Sequence, residues 1–309
     1  MTASREALAD ELRQQIKGIV RADEPMSRHT SLGIGGPADL YAEPACEDDV
    51  IVLLRECKRL GLPWFPMGDG QNLLVSDKGV RGLALRLGKP MSRIEIDETR
   101  MVAGAGAKLM KAVDMAVQHG LAGLEGATGV PGTIGGAIVM NAGTRVGYIG
   151  DVVQRVRLVD GDGVARELTR EELEFSYKTT GFQSGGSIIT EAEFQLRPSD
   201  KAELLAIVER LRRSRATTQP VVGKSAGCMF KNPPDQHAGY LIEQAGLKGM
   251  RVGDAEVSDK HGNFLMNAGG ATAEQMLALA ERVRQIVKER YGLALEYEVR
   301  LVGDWPKVE

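Results

Sequence analysis

The sequence is short of cysteine, histidine, aromatic residues and long apolar runs, and each shortage closes a class of function. Its three cysteines, Cys46, Cys57 and Cys228, are widely spaced and form no CxxC pair. That excludes a disulfide framework and a cysteine zinc site. Four scattered histidines, His29, His119, His237 and His261, lack metal-ligand spacing, so no metal centre is expected. Six phenylalanines and two tryptophans leave few platforms for stacking bases. Basic charge is not in excess: the formal net charge is −3 and the pI about 6.0, without the footprint of a nucleic-acid binder. No stretch approaches the roughly 20 apolar residues of a membrane span. Met1 to Ile19 is charged throughout and lacks the apolar core of a signal peptide. A cytoplasmic location without membrane or nucleic-acid partners is expected. Both common phosphate signatures are missing, GxxxxGK[ST] and a GxGxxG that opens a βαβ unit. There is no internal repeat and no low-complexity segment.

Glycine is what the chain has in quantity, 38 residues among 309, with 43% hydrophobic residues to build cores. The stretch from Gly126 to Gly143 holds six glycines, one proline and no charged side chain. Glycine admits positive φ and close approach, and successive N–H groups in such turns form anion-binding nests. The interleaved apolar residues place this stretch inside the protein. It reads either as a loop lying along a phosphate-bearing cofactor or as a packed turn at a sheet corner. A second glycine-rich loop, Gly68-Asp69-Gly70-Gln71-Asn72, follows the expected strand Trp64–Met67. The carboxyl end of such a strand is where open α/β sheets bind ligands. Backbone N–H groups and the Gln71 and Asn72 amides suit a pyrophosphate there; the alternative is an ordinary strand-exit turn.

Helix and strand signals mix along the whole chain. Residues 4–19 predict an amphipathic helix with Leu8, Leu12, Ile16 and Ile19 on one stripe. Strand 38–42, helix 47–60 stopped by Gly61, and strand 64–67 predict a βαβ unit, with Cys57 turned into the core. Strands follow at 82–87, 93–96 and 101–103, then a helix over 108–118. A hairpin is expected at 152–159 and 164–168 across Asp160-Gly161-Asp162-Gly163. Thr169 to Glu172 reads as a capping box opening a short helical turn before the segment Phe175 to Phe182. Strand 187–196 precedes helix 200–215, whose Arg210, Arg212, Arg213 and Arg215 are expected on a solvated face. A linker over 216–222 leads to helix 238–244 and strands at 252–256 and 262–266. The box Thr272-Ala273-Glu274-Gln275 opens a long helix to Arg290. The final strand, 293–301, alternates, with Glu296, Glu298 and Arg300 on its polar side.

Five motifs stand in order along this frame: Thr30-Ser31-Leu32-Gly33-Ile34-Gly35-Gly36, the Gly68–Asn72 loop, Gly129–Gly136 with Met140-Asn141-Ala142-Gly143, Phe230-Lys231-Asn232-Pro233, and Glu298-Val299-Arg300. With them the chain resembles the UDP-N-acetylenolpyruvoylglucosamine reductase family from about His29 to Gly303. The resemblance implies an α+β protein: a two-part FAD-binding fold of the vanillyl-alcohol-oxidase type over residues 1–84 and 85–215, then a C-terminal α/β substrate domain over 216–309. It is similar to the shorter subtype, since little room separates Phe182 from Ser187. The implied activity is NADPH-dependent reduction of UDP-N-acetylglucosamine enolpyruvate through FAD, in peptidoglycan precursor synthesis, by a monomer without metal. FAD would lie against Gly68, Asp69, Gly70, Gln71, Asn72, Gly129, Gly132, Thr133, Gly135, Gly136, Asn141 and Ala142. Tyr177, Lys231, Asn232 and Tyr240 would meet the substrate, with the His261-Gly262-Asn263 turn as a further candidate.

The same resemblance assigns the chemistry, with two departures from the usual residues. The proton donor, a serine in many members, falls on Cys228. A thiol with a pKa of about 8.5 is a stronger acid than a hydroxyl, and Ser225 is the nearby alternative. The arginine of a Tyr-Arg pair falls on Lys178, which keeps the charge and loses the bidentate fork. Glu298 would orient the acid or meet the developing intermediate. Without the resemblance, Cys228 reads as a small buried thiol, Lys178 as a surface lysine, and Glu298, like Glu296, as a solvent-face charge. Two rivals are a flavin oxidase on the same fold and a non-catalytic flavin or UDP-sugar-binding protein.

Overall fold

A computed structural model describes residues 4–144, 146–181 and 186–305. Phe182 and the rest of segment 182–185, on which the short-subtype expectation rests, lie outside the described residues. The chain divides into two compact units. The first comprises Met1–Asp23, Asp39–Asp69 and Gly82–Arg213; the second comprises Glu24–Ala38, Gly70–Arg81 and Ser214–Glu309.

In the first unit, helix α1 covers only Arg5–Arg13, shorter than the predicted helix over 4–19. The Asp49 carboxylate takes the N–H groups of Lys17 and Gly18 at 3.1 and 2.9 Å, which diverts the chain from helical bonding. Ile19 instead opens a strand, Ile19–Pro25, and is 46% exposed. Helix α2, Glu47–Leu60, forms as predicted: Glu47, Asp48 and Asp49 fill its first turn, Val50, Leu53, Leu54 and Cys57 are buried, and Gly61 closes it at φ +64°. Acidic residues at that end complement the helix dipole. Its flanking strands are not neighbours, which corrects the simple βαβ reading. Strand Val80–Arg86 lies between Pro37–Glu43 and Trp64–Met67, and pairs parallel with the latter.

A five-stranded sheet follows, in the order Ala165–Thr169, Val153–Val159, Ile188–Gln195, Arg100–Gly104, Ile94–Asp97, with every neighbour antiparallel. The predicted hairpin is its first pair. Glu172 accepts from the Thr169 N–H at 2.8 Å, but only a turn forms there, not a helix. Helix α3, Leu109–Gln118, packs Leu109, Ala112, Val113, Ala116 and Val117 inward. One continuous core joins α2, α3 and these sheets. The glycine stretch is more regular than a loop: it contains helix α4, Ile134–Val139, capped by the Thr133 side chain. Helix α5, Lys201–Thr218, runs three residues past the predicted end and carries the chain from one unit into the other.

The second unit has its own core and a four-stranded antiparallel sheet in the order Lys224–Cys228, Phe264–Asn267, Ala255–Val257, Arg251–Val252. The strand predicted at 252–256 is in fact a hairpin turning at Gly253, φ +57°. Helix α6, Ala238–Gln244, matches its prediction. Helix α7, Ala273–Tyr291, shows both halves of the Thr272–Gln275 capping box and ends on Gly292 at φ +70°. Residues 293–299 alternate in burial but do not form a regular strand. Only Arg300–Val302 does, parallel to Leu73–Val75.

Asp77 adds a cap to α7 from far away in sequence, accepting from the Ala273 and Glu274 N–H groups at 2.9 and 3.0 Å. Asp77 is exposed, so Asp77→Ala leaves no cavity. The substitution is expected to cost about 1–2 kcal/mol, read as a lower urea midpoint at unchanged slope.

Candidate active site

Within the first unit, Gly68 leaves the strand Trp64–Met67 and presses on Thr133: a Cβ on Gly68 would stand 2.3 Å from Thr133 Oγ1. Asp69 does not offer its carboxylate outward. Arg86 holds it at 3.2 Å and Lys108 at 2.5 Å. Burial works against the Arg86 charge, but Tyr41, Asp69 and Glu43 outweigh it and keep the guanidinium pKa above its usual value. A carboxylate so neutralised can stand beside an anionic ligand, with the loop backbone as the contact.

The glycine stretch divides into two kinds of position. Gly126 and Gly143 are packing glycines, each with a Cβ position within 2.3 Å of the Gly147 carbonyl oxygen. Gly135 would meet Ala105 Cβ at 3.0 Å. Gly129 and Gly132 take φ +75° and +119°. The first N–H groups of α4 are satisfied internally: Ile134 and Gly135 donate to the Ala107 and Ala105 carbonyls, and Gly136 to Thr133 Oγ1. Gly136 differs from the others. It is exposed, and a Cβ there would meet only Thr133 Oγ1, at 3.6 Å. Glycine inside a helix costs about 0.5–1 kcal/mol relative to alanine, and no neighbour among the described residues requires it here. A cradle kept open in this way fits a flat group lying along α4.

Asn141 is buried, 7% exposed. Its Oδ1 accepts from the Gly150 N–H at 3.2 Å, and its Nδ2 donates to the Ser176 carbonyl at 3.0 Å. Ala142 is buried and donates its N–H to the Ala137 carbonyl. Ser176 and Thr179 close a two-residue turn with Tyr177 and Lys178 at its tip. Tyr177 is 47% exposed; Lys178 is half-buried at φ +58°.

Within the second unit, the Thr30–Gly36 motif is a buttress for the other end of the loop. Ser31 donates its N–H to the Gly70 carbonyl at 3.1 Å. Gly70 takes φ +63°, with its Cβ position 2.1 Å from the His29 carbonyl oxygen. His29 is itself fixed by Glu24, at 2.9 Å. Among the described residues, the N–H groups of Gly70 and Gln71, like those of Gly68 and Asp69 in the first unit, find no protein acceptor. Gly70 is buried, and buried backbone donors are rarely left unpaired; free N–H groups in a glycine-rich turn suit an anionic ligand such as a pyrophosphate.

Cys228 ends the strand Lys224–Cys228, after a register shift that follows Ser225, with Gly227 at φ +77°. Such bulges re-aim side chains beside active sites. Glu298 is close to it along the backbone: the Glu298 N–H donates to the Met229 carbonyl at 2.9 Å. Phe230 and Tyr297 form a bridge and bring their rings to 5.5 Å, fixing that register. Asn72 Nδ2 donates to the Glu298 carbonyl at 3.0 Å. The geometry therefore brings Cys228, Glu298 and Asn72 to one place in this unit.

Other expected substrate residues carry protein partners. Lys231 pairs with Glu296 at 3.4 Å, and Asn232 Oδ1 accepts from the Ala238 N–H at 3.0 Å, capping α6. Tyr240 stands 59% exposed on α6. Asn263 is buried and clamps both backbone groups of Phe230, a structural task. Burial pushes the His261 pKa down, with Glu243 opposing it.

Arg215 departs from the solvated face expected of its arginine run. It is half-buried; burial pushes its pKa down and neighbouring Cys228 opposes that shift. Its electrostatic coupling to Cys228 was hidden in the sequence because a run of arginines reads as surface. Cys57 is buried where Cys228 is only partly so, and burial, with Glu56 adding to it, pushes the Cys57 thiol up to about 12. Iodoacetamide at neutral pH is expected to alkylate Cys228 and spare Cys57, by peptide mass spectrometry, because the thiolate is the reactive form.

Comparison with known proteins bears on the family and the fold. Residues 38–169 match an FAD binding domain, and residues 219–302 match the C-terminal domain of UDP-N-acetylenolpyruvoylglucosamine reductase. The chain is 45% identical to UDP-N-acetylenolpyruvoylglucosamine reductase 2 of Symbiobacterium thermophilum, over 97% of this chain and 98% of that protein. It is 42% identical to the reductase of Heliobacterium modesticaldum, over 95% and 94%. The crystal structure of the reductase from Thermus caldophilus superposes with a TM-score of 0.80 at 36% identity, covering 93% of this chain and 99% of that one. The FAD-binding fold followed by the reductase's C-terminal domain is the order the motifs led us to expect. The chain belongs to the UDP-N-acetylenolpyruvoylglucosamine reductase family.

Proposed function

We propose that the protein reduces UDP-N-acetylglucosamine enolpyruvate to UDP-N-acetylmuramate in peptidoglycan precursor synthesis, with NADPH as electron source and FAD as carrier. The observation that carries the reading is the backbone bond from Glu298 to Met229, beside Cys228, within a chain that aligns with a family member over 97% of its length. The backbone N–H groups of Gly68 and Asp69 and the open face at Gly136 would hold FAD, which when bound would supply the hydride chemistry. The chain's own groups manage the charge and the proton. Lys178 Nζ stabilises the negative charge that develops on the carboxylate side of the double bond. Cys228 Sγ–H gives its proton to the carbon next to that carboxylate, completing addition across the double bond. Glu298 orients the acid, and Arg215 favours the thiolate left behind.

Tyr177, Lys231, Asn232 and Tyr240 are proposed to hold the sugar nucleotide. Residues 1–84, 85–215 and 216–309 are proposed as two FAD-binding parts and a substrate domain. We place the enzyme in the cytoplasm, where NADPH and UDP-sugars are made, as a monomer that serves cell shape and division through wall synthesis. Among the described residues no helix is long and apolar enough to cross a membrane.

The test is anaerobic stopped-flow absorbance near 450 nm on FAD-loaded protein, adding NADPH and then the enolpyruvyl sugar. Bleaching followed by prompt recovery is expected. Recovery by oxygen alone would replace the reading with a flavin oxidase, and a yellow protein that does not turn over would replace it with a binding protein.

A further inference from the structure

The geometry points to Asn72 and Asn141, the asparagines that close the two glycine-rich loops, as positioning residues for Glu298 and Lys178 rather than side-chain ligands of the cofactor. The inference rests on the reaction proposed above.

Asn72 stands just before the strand Leu73–Val75, whose parallel ladder with Arg300–Val302 begins at the pair Leu73 and Arg300. Glu298 lies two residues upstream of that ladder. The Asn72 carbonyl accepts from the Arg300 N–H at 3.0 Å, and Asn72 Nδ2 donates to the Glu298 carbonyl at 3.0 Å. The side-chain amide thus supplies an extra rung that carries the pairing back to Glu298. Glu298 also donates its own N–H to the Met229 carbonyl at 2.9 Å. The backbone of Glu298 is held between Asn72 and the residue after Cys228, and its direction follows from both.

Asn141 does the equivalent for the Tyr177-Lys178 turn. The turn closes on itself through Ser176 N–H to Thr179 O at 3.1 Å and Thr179 N–H to Ser176 O at 3.4 Å. Asn141 Nδ2 ties the Ser176 carbonyl to the segment that follows α4, while its Oδ1 is spent on the Gly150 N–H. Oxygen and nitrogen of this buried amide are both committed inside the protein. Asn141 adopts φ +40°, a conformation asparagine tolerates better than most residues.

Both residues would act only through groups used when the sugar is reduced. Their removal should therefore fall on the oxidative half-reaction. FAD-loaded Asn72→Ala and Asn141→Ala are measured by anaerobic stopped flow, each half-reaction separately. Reoxidation by the enolpyruvyl sugar is expected to slow roughly 10–100-fold more than bleaching by NADPH, the scale of a misplaced catalytic group. In a Glu298→Gln background Asn72→Ala should add no further loss, and likewise Asn141→Ala in Lys178→Met, because the partner is already gone. If the alanine variants do not fold, Asn72→Asp and Asn141→Asp keep the volume, lose the donor and carry the same comparison. Equal slowing of both half-reactions with weakened FAD binding would overturn the inference in favour of cofactor contact. Losses that simply add in the double variants would overturn it in favour of general scaffolding. Wild-type protein that the sugar does not reoxidise would overturn the proposed reaction itself.

Discussion

Cys228→Ala is expected to halt turnover after the flavin has been reduced: NADPH bleaches the enzyme, and the enolpyruvyl sugar restores the colour about 10²–10⁴-fold more slowly than in the wild type. That range is the usual contribution of a positioned general acid. Hydride arrival at one carbon of the double bond leaves charge on the next, and without a proton at that moment the step reverses or stalls. Cys228→Ser is expected to keep appreciable activity, because a hydroxyl can occupy the same place and also carries a proton. The serine is the weaker acid, so proton delivery rather than binding should change, and kcat should fall more than KM rises. Normal reoxidation of the alanine variant would remove Cys228 as donor and move the assignment to Ser225, on the same strand before the register shift.

The sequence was most legible where local chemistry and packing agree. Helix α2 has acidic residues at its start, an apolar stripe and a glycine stop, and its boundaries coincide with prediction. The same holds for the Thr272 box and Gly292 at the two ends of α7. Legibility failed where a distant group decides the backbone. Asp49 unwinds the chain after α1, although the residues there carry a helical stripe. Gly253 turns a predicted strand into a hairpin whose partner lies on the same segment.

At the candidate site, the motifs located the loops but not the duties inside them. Asn72 and Asn141 look like ligand amides in a glycine-rich loop. Their partners, Glu298 and Ser176, lie 226 and 35 residues away, and no spacing rule reaches them. Asp69 likewise reads as a polar loop residue until Arg86 and Lys108 are seen to hold it. Arg215 was concealed among surface arginines, and only the chain's path past Cys228 separates it from them.

Alanine at Gly70 and alanine at Gly136 are expected to act in opposite directions on the apoprotein while both weaken FAD binding. Gly70 sits at φ +63°, and its added Cβ would fall 2.1 Å from a main-chain oxygen, that of His29. Backbone cannot swing aside as a side-chain end does. The left-handed conformation alone costs about 1–2 kcal/mol for a residue with a Cβ, and relieving the overlap adds about 1–3 kcal/mol more. The apoprotein should unfold at markedly lower urea, and purified protein should carry little flavin by the ratio of absorbance near 450 nm to that at 280 nm. Gly136 has no such neighbour, so alanine there should stabilise α4 by about 0.5–1 kcal/mol. If glycine is kept at 136 because a flat group lies along the helix, that more stable apoprotein will nevertheless bind FAD more weakly, and Gly136→Leu more weakly still. A Gly136→Ala protein that gains stability and binds FAD as the wild type does would show that the open cradle is not where the cofactor lies. Measuring both variants separates a glycine needed by the fold from a glycine needed by the ligand, a distinction that composition alone cannot make.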